Sequence, residues 1–530
     1  MGMGIVKKHN QLLLYIPLLF SQYTAAADLI FKPSLKLEET YSDNVSLSRE
    51  NNNPTSSLVT MTSAVIQSEY LAKRVNFNFN SESIYALYSH DHDLDNDYHV
   101  LDTNLSFQLW PDGIWFTSSA EIQNRASNQY QNSLADLVST GTTQVATYSG
   151  GLQYNISNKS FSINSNIVYV LEDTEDNIGE KEGYSAVVKS TNGSDSNFVF
   201  WDIDNTYREI SNNGNSGVIY HGEIKLGLIT NYNINPYIRY FDEDNKGTIG
   251  QNKAFESNSY GLGFRWLATP KLQLELSYNK PIGNKLNSNN ELPKNYVSAS
   301  IDWQPTSRTK LQANISERFY GDSYGLSFTH KNKRFTNELN YVEEVQTLTR
   351  NNYSLFNVGM YWCPNSDEIL FSNCFISGND DLNFEDYQLI TLSDFEVIED
   401  NQFSLNKNLS WRSTLAYSRT TFTLGLSANN RQNLSTEFED ERSSISFSIK
   451  RKVSGKSNIN LLVKYDKNIF QQNSDMERKN NYRQYELIYE RNINQALVFN
   501  LRLGLLNRSS NDIFLNYKES RVTFKMTKDF

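Results

Sequence analysis

The chain has 530 residues and a formal net charge of −11, a balance that excludes a nucleic-acid binder, which needs a basic patch to neutralise phosphates. Mean hydropathy is negative, and beyond the N-terminus no apolar run approaches the roughly 20 residues of a membrane-spanning helix. The 32 Tyr and 29 Phe are nevertheless more than a soluble protein this polar usually carries, and they suit the aromatic girdles of a membrane β-barrel.

In chain order, Lys7 and Lys8 precede an apolar run from Leu12 to Phe20, and Ala25-Ala26-Ala27 stand before Asp28. A basic stretch, a short apolar stretch and small residues predict a secretory signal peptide over residues 1–27. Length alone would suggest about three or four domains, but no Pro/Gly/Ser-rich linker divides the remainder, so residues 28–530 read as one domain.

That domain reads as hairpin after hairpin. Leu101, Thr103, Leu105, Phe107 and Leu109 form one face of a strand, with Asp102, Asn104, Ser106 and Gln108 on the other. Trp110-Pro111-Asp112-Gly113 turns the chain, and Ile114, Phe116, Ser118, Ala120 and Ile122 return. The unit recurs with Tyr260, Leu262, Phe264 and Trp266, the turn Thr269-Pro270-Lys271, and Leu272, Leu274, Leu276 and Tyr278. Val297, Ala299, Ile301 and Trp303 lead to a turn at Pro305, and Leu311, Ala313 and Ile315 follow it. Short turns fall near Lys73, Asp112, Asn158, Gly193, Asn235, Pro270, Thr306, Asn332, Arg419, Gly455 and Asn494.

Between them lie long polar connections: 46–56, 89–97, 124–142, 172–183, 242–256, 280–293, 350–401 and 471–480. Short turns at one end and long loops at the other are the layout of a transmembrane antiparallel up-and-down β-barrel, all-β, with short periplasmic turns and long extracellular loops. Adding a first and a closing strand gives about 24 strands, within a range of about 20 to 26, and an even number puts both termini in the periplasm.

The closing strand carries Val522, Phe524, Met526 and the terminal Phe530 on one face, and Arg521, Thr523, Lys525, Thr527 and Asp529 on the other. A terminal aromatic residue in such a strand resembles the assembly signal of bacterial outer-membrane barrels, which implies the barrel assembly machinery and outer-membrane lipid as partners. Lys528 departs from that pattern, in which an aliphatic or aromatic residue is usual two places before the end.

Two stretches resemble an outer-membrane family associated with PEP-CTERM protein sorting and exopolysaccharide clusters. One is Phe31 to Val45, a short first strand ending in Thr40-Tyr41-Ser42-Asp43-Asn44. The other is Glu317-Arg318-Phe319-Tyr320-Gly321-Asp322-Ser323-Tyr324-Gly325, followed by His330 to Arg334 and Asn340-Tyr341. The resemblance implies a cellular context and no catalytic residues.

If lipid takes the apolar faces, the other faces line the lumen, and Arg265, Glu275, Asp302, Arg318, Arg412 and Arg502 are among its charged candidates. Buried charges must be paired or hydrated, so the interior is expected to be wet or laced with ion pairs. The connection 350–401 is the candidate for a loop folded into that lumen. Cys363 and Cys374, the only cysteines, are spaced to close a small disulfide ring in an oxidising compartment. The carboxylates from Asp380 to Asp400 match no ordered Ca²⁺ loop, and His90-Asp91-His92-Asp93 reads as a polar connection rather than a zinc site.

No hydrolase elbow, phosphate loop or paired-cysteine motif is present. The sequence therefore predicts a non-enzyme without cofactor or metal, a pore or scaffold for export of exopolysaccharide or sorted surface proteins. The alternatives are a structural or adhesive barrel and a general porin. A plug-gated receptor fits less well, because strands begin within about ten residues of the cleavage site and leave no room for an N-terminal plug.

Overall fold

The computed structural model describes residues 28–49, 54–111, 113–129, 136–139, 141–249, 254–282, 294–347, 352–365, 375–376, 386–398, 402–472, 474, 477–512 and 515–530. The expected signal peptide lies outside them, as does Asp112 in the expected turn. Alternating side chains and turn chemistry build one sheet of 24 antiparallel strands. It closes on itself, because the first strand, Asp28–Ser42, pairs with Ser57–Ala72 on one side and with the last, Tyr517–Asp529, on the other. Closure leaves no strand of the ring without a neighbour on either side, as hydrocarbon requires. At the join, Lys525 Nζ meets Glu38 at 2.9 Å and the Ser42 hydroxyl donates to Glu519 at 2.6 Å.

Side chains of Asn, Thr and Ser set several of the short turns by accepting from the backbone two or three residues on, which mimics a backbone turn. Asn158 accepts from Ser160 and Phe161 at 2.8 and 2.9 Å, and Asn332 from Arg334 and Phe335 at 3.0 and 2.9 Å. One expected turn shifts: the chain reverses over residues 229–233, and Asn235 is already inside the strand Ile234–Gly247, where it is buried. Both described chain ends, Asp28 and Phe530, lie at this end of the barrel.

At the other end the loops are less uniformly long than the sequence suggested. Asn213 and Gly214 connect two strands alone, at φ 43° and 82°, the left-handed conformation that an Asn-Gly hairpin turn requires. Phe319 and Tyr320 make a second tight connection. The described residues of 352–398 stand apart from the ring. Their strands Asn352–Pro364, Phe375–Ile376 and Tyr387–Ile398 form a separate three-stranded sheet, and the barrel resumes by pairing Phe335–Thr347 with Phe403–Ala416.

The outward rows are those the alternation predicted. Tyr260, Leu262, Phe264 and Trp266 are 43–71% exposed on the outer face, as suits a surface solvated by lipid. Inward rows are buried at the loop end of the barrel, where three apolar clusters form.

Candidate functional site

The site is the lumen, and its walls are unlike one another. On the strands from Val199–Asn212 to Thr309–Arg318 the inward charges are knitted together. Glu275 accepts from Arg265 Nε at 2.6 Å, Lys225 Nζ at 2.9 Å, Gln273 at 3.0 Å and the Ser300 hydroxyl at 3.4 Å. Arg265 also approaches Asp202 at 3.6 Å and stacks over the Phe200 ring at 4.1 Å. Glu223 takes Arg239 at 2.5 Å and Lys225 at 3.5 Å, and Arg239 holds the Tyr296 hydroxyl at 3.1 Å. Each of these charges thus has a counter-charge within 3.6 Å, and pairing is a condition under which buried ions are tolerated.

Arg318 pairs with Glu243, its Nε 2.8 Å from Oε2. The two residues sit four strands apart in the ring, about 19 Å along a flat sheet at the usual strand spacing, which is more than the two side chains can bridge. The wall must therefore curve sharply inward here. Of the sequence candidates, the structure brings Arg265 and Glu275 together and places Arg318 with Glu243. Asp302 lies apart, accepting from Gln312 at 2.7 Å. Arg412 and Arg502 face the lumen by register, opposite Glu338 and near Thr523, and both are exposed.

The strands from Phe403–Ala416 to Tyr517–Asp529 carry a cationic sector. Their inward rows hold Arg412, Arg431, Arg442, Lys450, Lys452, Lys464, Arg478, Arg502, Arg508, Arg521 and Lys525 against Asp440, Asp466, Glu486, Glu490, Glu519 and Asp529. The excess is positive in a chain whose overall charge is −11.

Three elements cover the mouth at the loop end. The first is the loop between Ile114–Ala126 and Thr142–Ser157. Its Val138 and Leu137 pack onto inward Val59, Met61, Ala86 and Tyr88, whose hydroxyl donates to the Leu137 carbonyl. Asp136 in that loop accepts from Val138 N–H at 2.9 Å and pairs with Arg521 on the last strand, five strands around the ring.

The second element is the top of the wall itself. By alternation Val345, Phe403 and Leu405 continue the outward row of Tyr341 and Leu409, yet they are buried to 6, 0 and 1%. Val345 and Phe403 pack with Ile249 and Phe319, and the Phe403 ring lies 6.3 Å from that of Phe255, an inward residue. Phe403 also comes within 3.4 Å of where a Cβ on Gly217, another inward position, would stand. The upper end of Phe335–Thr347 therefore turns into the mouth, and that of Phe403–Ala416, still paired with Thr420–Asn433 as far as Ser404↔Asn433, curves in with it.

The third element is the 348–402 insertion that joins those two ends. Its Val397 packs with buried Phe470 in a cluster that Ile178 also joins; Phe470 and Ile178 come from almost opposite sides of the ring, so this cluster, with the insertion in it, closes over the opening. Cys363 in it is fully buried and disulfide-bonded. Cys374 lies outside the described residues, as do Asp380, Asp381, Glu385, Glu399 and Asp400 of the acidic stretch.

At 89–97 the side chains act as turn caps: Asp95 accepts from Tyr88 N–H at 2.7 Å and Asp91 from Asp93 N–H at 3.0 Å. No group of three metal-ligating side chains forms among the described residues. Sequence reasoning missed Glu243, Arg239, Asp202 and Asp136; the first and last fall in stretches it took for loops.

No protein-family model matches the chain, and no curated protein sequence matches it. Solved structures with similar architecture include the siderophore receptor PirA from Acinetobacter baumannii, at 8% identity and a TM-score of 0.44, covering 94% of this chain and 80% of that one. The FrpB iron transporter from Neisseria meningitidis aligns at 9% identity and a TM-score of 0.44, covering 94% and 81%. OmpTdeltaL8, an outer membrane protein of Vibrio cholerae, aligns at 8% and 0.32, covering 96% and 100%. The fold rests on the closed register described above, and no substrate follows from these likenesses.

Proposed function

We propose that the chain is an outer-membrane barrel, termini in the periplasm, whose lumen conducts or holds a polar, negatively charged polymer during export of cell-surface polysaccharide. The observation that carries this reading is the cationic sector with exposed Arg412 and Arg502 in an otherwise acidic chain. A surface with a net excess of one sign in a confined channel concentrates counter-ions. The apolar outward rows and the aromatic residues among them suit an outer membrane, and the resemblance of the first strand and of 317–341 to the PEP-CTERM-associated family supports the polysaccharide context. Neither reading requires a catalytic group or a cofactor.

The covered mouth favours a gated conduit over an open porin, and it also supports a second reading, a scaffold through which nothing passes. Planar-bilayer conductance separates them. The gated conduit predicts low conductance for the intact chain and a large, anion-preferring conductance once residues 352–398 are replaced by a short linker. Silence in both forms would leave the scaffold.

A further inference from the structure

The ladder between Gly321–Lys331 and Phe335–Thr347 runs only from Lys331↔Thr336 to Leu326↔Tyr341. The first of these strands stays paired with its other neighbour as far as Arg318↔Gly321. Above Leu326 and Tyr341 the wall is thus parted, where the upper end of Phe335–Thr347 turns into the mouth. Backbone groups on an open strand edge cannot face hydrocarbon unsatisfied. Here the Tyr324 N–H, which would have continued the ladder, donates to Glu343 at 3.2 Å, and the Tyr341 hydroxyl donates to the same carboxylate at 2.5 Å. A second carboxylate, Asp322, accepts from the Tyr324 hydroxyl at 3.2 Å.

Directly below, on the lipid-facing surface, lies an apolar groove of about 790 Å³. It exists because Ala299 and Ala313 sit where their neighbours are large: Trp266, Leu326, Tyr324 and Tyr341 form its walls. Its size is that of sites which take small ligands. The groove opens to hydrocarbon, its upper end is bounded by two tyrosines at the parting, and the charges beside Tyr324 are carboxylates. These features fix the occupant's chemistry: an acyl chain below, and above it a head that donates hydrogen bonds and carries no negative charge.

We propose that the parting and the groove together form a binding site for a membrane amphiphile with a neutral, hydroxyl-rich head, such as a sugar, whose acyl chain lies along Ala299 and Ala313 and whose head donates to Glu343 and Asp322. The site stands on the outer face of the wall and does not depend on anything passing through the lumen.

The test uses the full mature chain in phosphatidylcholine nanodiscs, with two photoreactive probes of equal chain length, an alkyl glucoside and a fatty acid, each carrying a diazirine on the part of the chain next to the head. Mass spectrometry then maps the labelled residues. The proposal expects the glucoside to label Ile315, Leu326 and Tyr341 about tenfold above other outward rows, the scale set by one hydrogen bond to a carboxylate, and expects the fatty acid to show no such preference. Ala313→Trp fills the groove and abolishes the enrichment; Ala299→Phe does the same from the neighbouring strand should the first variant fail to fold. Glu343→Ala with Asp322→Ala lowers glucoside labelling to the fatty-acid level, and either substitution alone lowers it part of the way. Even labelling of all outward rows by the glucoside, or enrichment that survives either groove-filling substitution in a folded barrel, overturns the proposal.

Discussion

Arg318 and Glu243 meet inside the barrel although three strands stand between theirs in the ring, so this pair holds the sharp inward curve of the wall. Their side chains are 13% and 1% exposed. Removing one partner of a buried pair strands the other charge, at a cost of about 3–5 kcal/mol. Glu243→Gln is therefore expected to lower the urea-unfolding stability of the refolded barrel by that order, while Glu243→Leu combined with Arg318→Met restores most of the loss. Additive losses in the double variant would show that the pair does not act as a unit.

The Asp136–Arg521 contact fastens the inward loop to the closing strand. A charge-assisted hydrogen bond contributes about 1.5–3 kcal/mol, and opening of a loop follows its local stability. Asp136→Asn is expected to raise proteolytic cleavage within 127–141 by roughly tenfold or more, since every 1.4 kcal/mol is a factor of ten, while the rest of the barrel stays resistant. Unchanged cleavage would mean that the apolar seat of Leu137 and Val138 suffices to hold the loop.

The proposed conduit makes a prediction about sign. In a form lacking 352–398, Arg412→Glu with Arg502→Glu replaces two exposed lumen cations by anions. The reversal potential in a salt gradient is expected to move from anion-preferring toward cation-preferring, and the shift to shrink at high salt, where screening shortens to about 3 Å at 1 M. A reversal potential indifferent to both substitutions would remove the cationic sector from the account.

Phe530 is 69% exposed, and in the folded barrel its backbone N–H donates to Pro33 at 3.0 Å. If the terminal aromatic is an assembly signal, its deletion is expected to reduce membrane insertion in cells severalfold while changing the stability of the refolded protein by no more than about 1 kcal/mol, the usual scale for an exposed site. Equal losses in both would make its role structural.

Where strands cross the apolar zone, the sequence was easy to read. Lipid demands every second side chain, so Arg265 and Glu275 could be placed on one face by counting either side of the turn at Pro270, and the register sets them directly opposite. Glu243 was not legible for the same physical reason in reverse. Its strand runs on past the apolar zone to Gly247, both faces of Asp242 to Lys246 meet polar surroundings, and the alternation that marks a strand dies out. Val345, Phe403 and Leu405 were hidden differently, because apolar residues on an outward row give no sign that the row has turned inward. The two-residue reversal at Asn213-Gly214 did leave a signal, the dipeptide itself, in a stretch whose alternation was too weak to attract a turn.

The insertion that reaches across the mouth is rooted, on one side, in the strand end that parts from the wall, Thr347 of Phe335–Thr347. A pull or push on it from outside, by a polymer end or a surface ligand, would act as on a lever whose fulcrum is the Tyr324–Glu343 contact. Lifting the cover and widening the side cleft would then be one movement, and neither could be blocked by a cross-link without arresting the other.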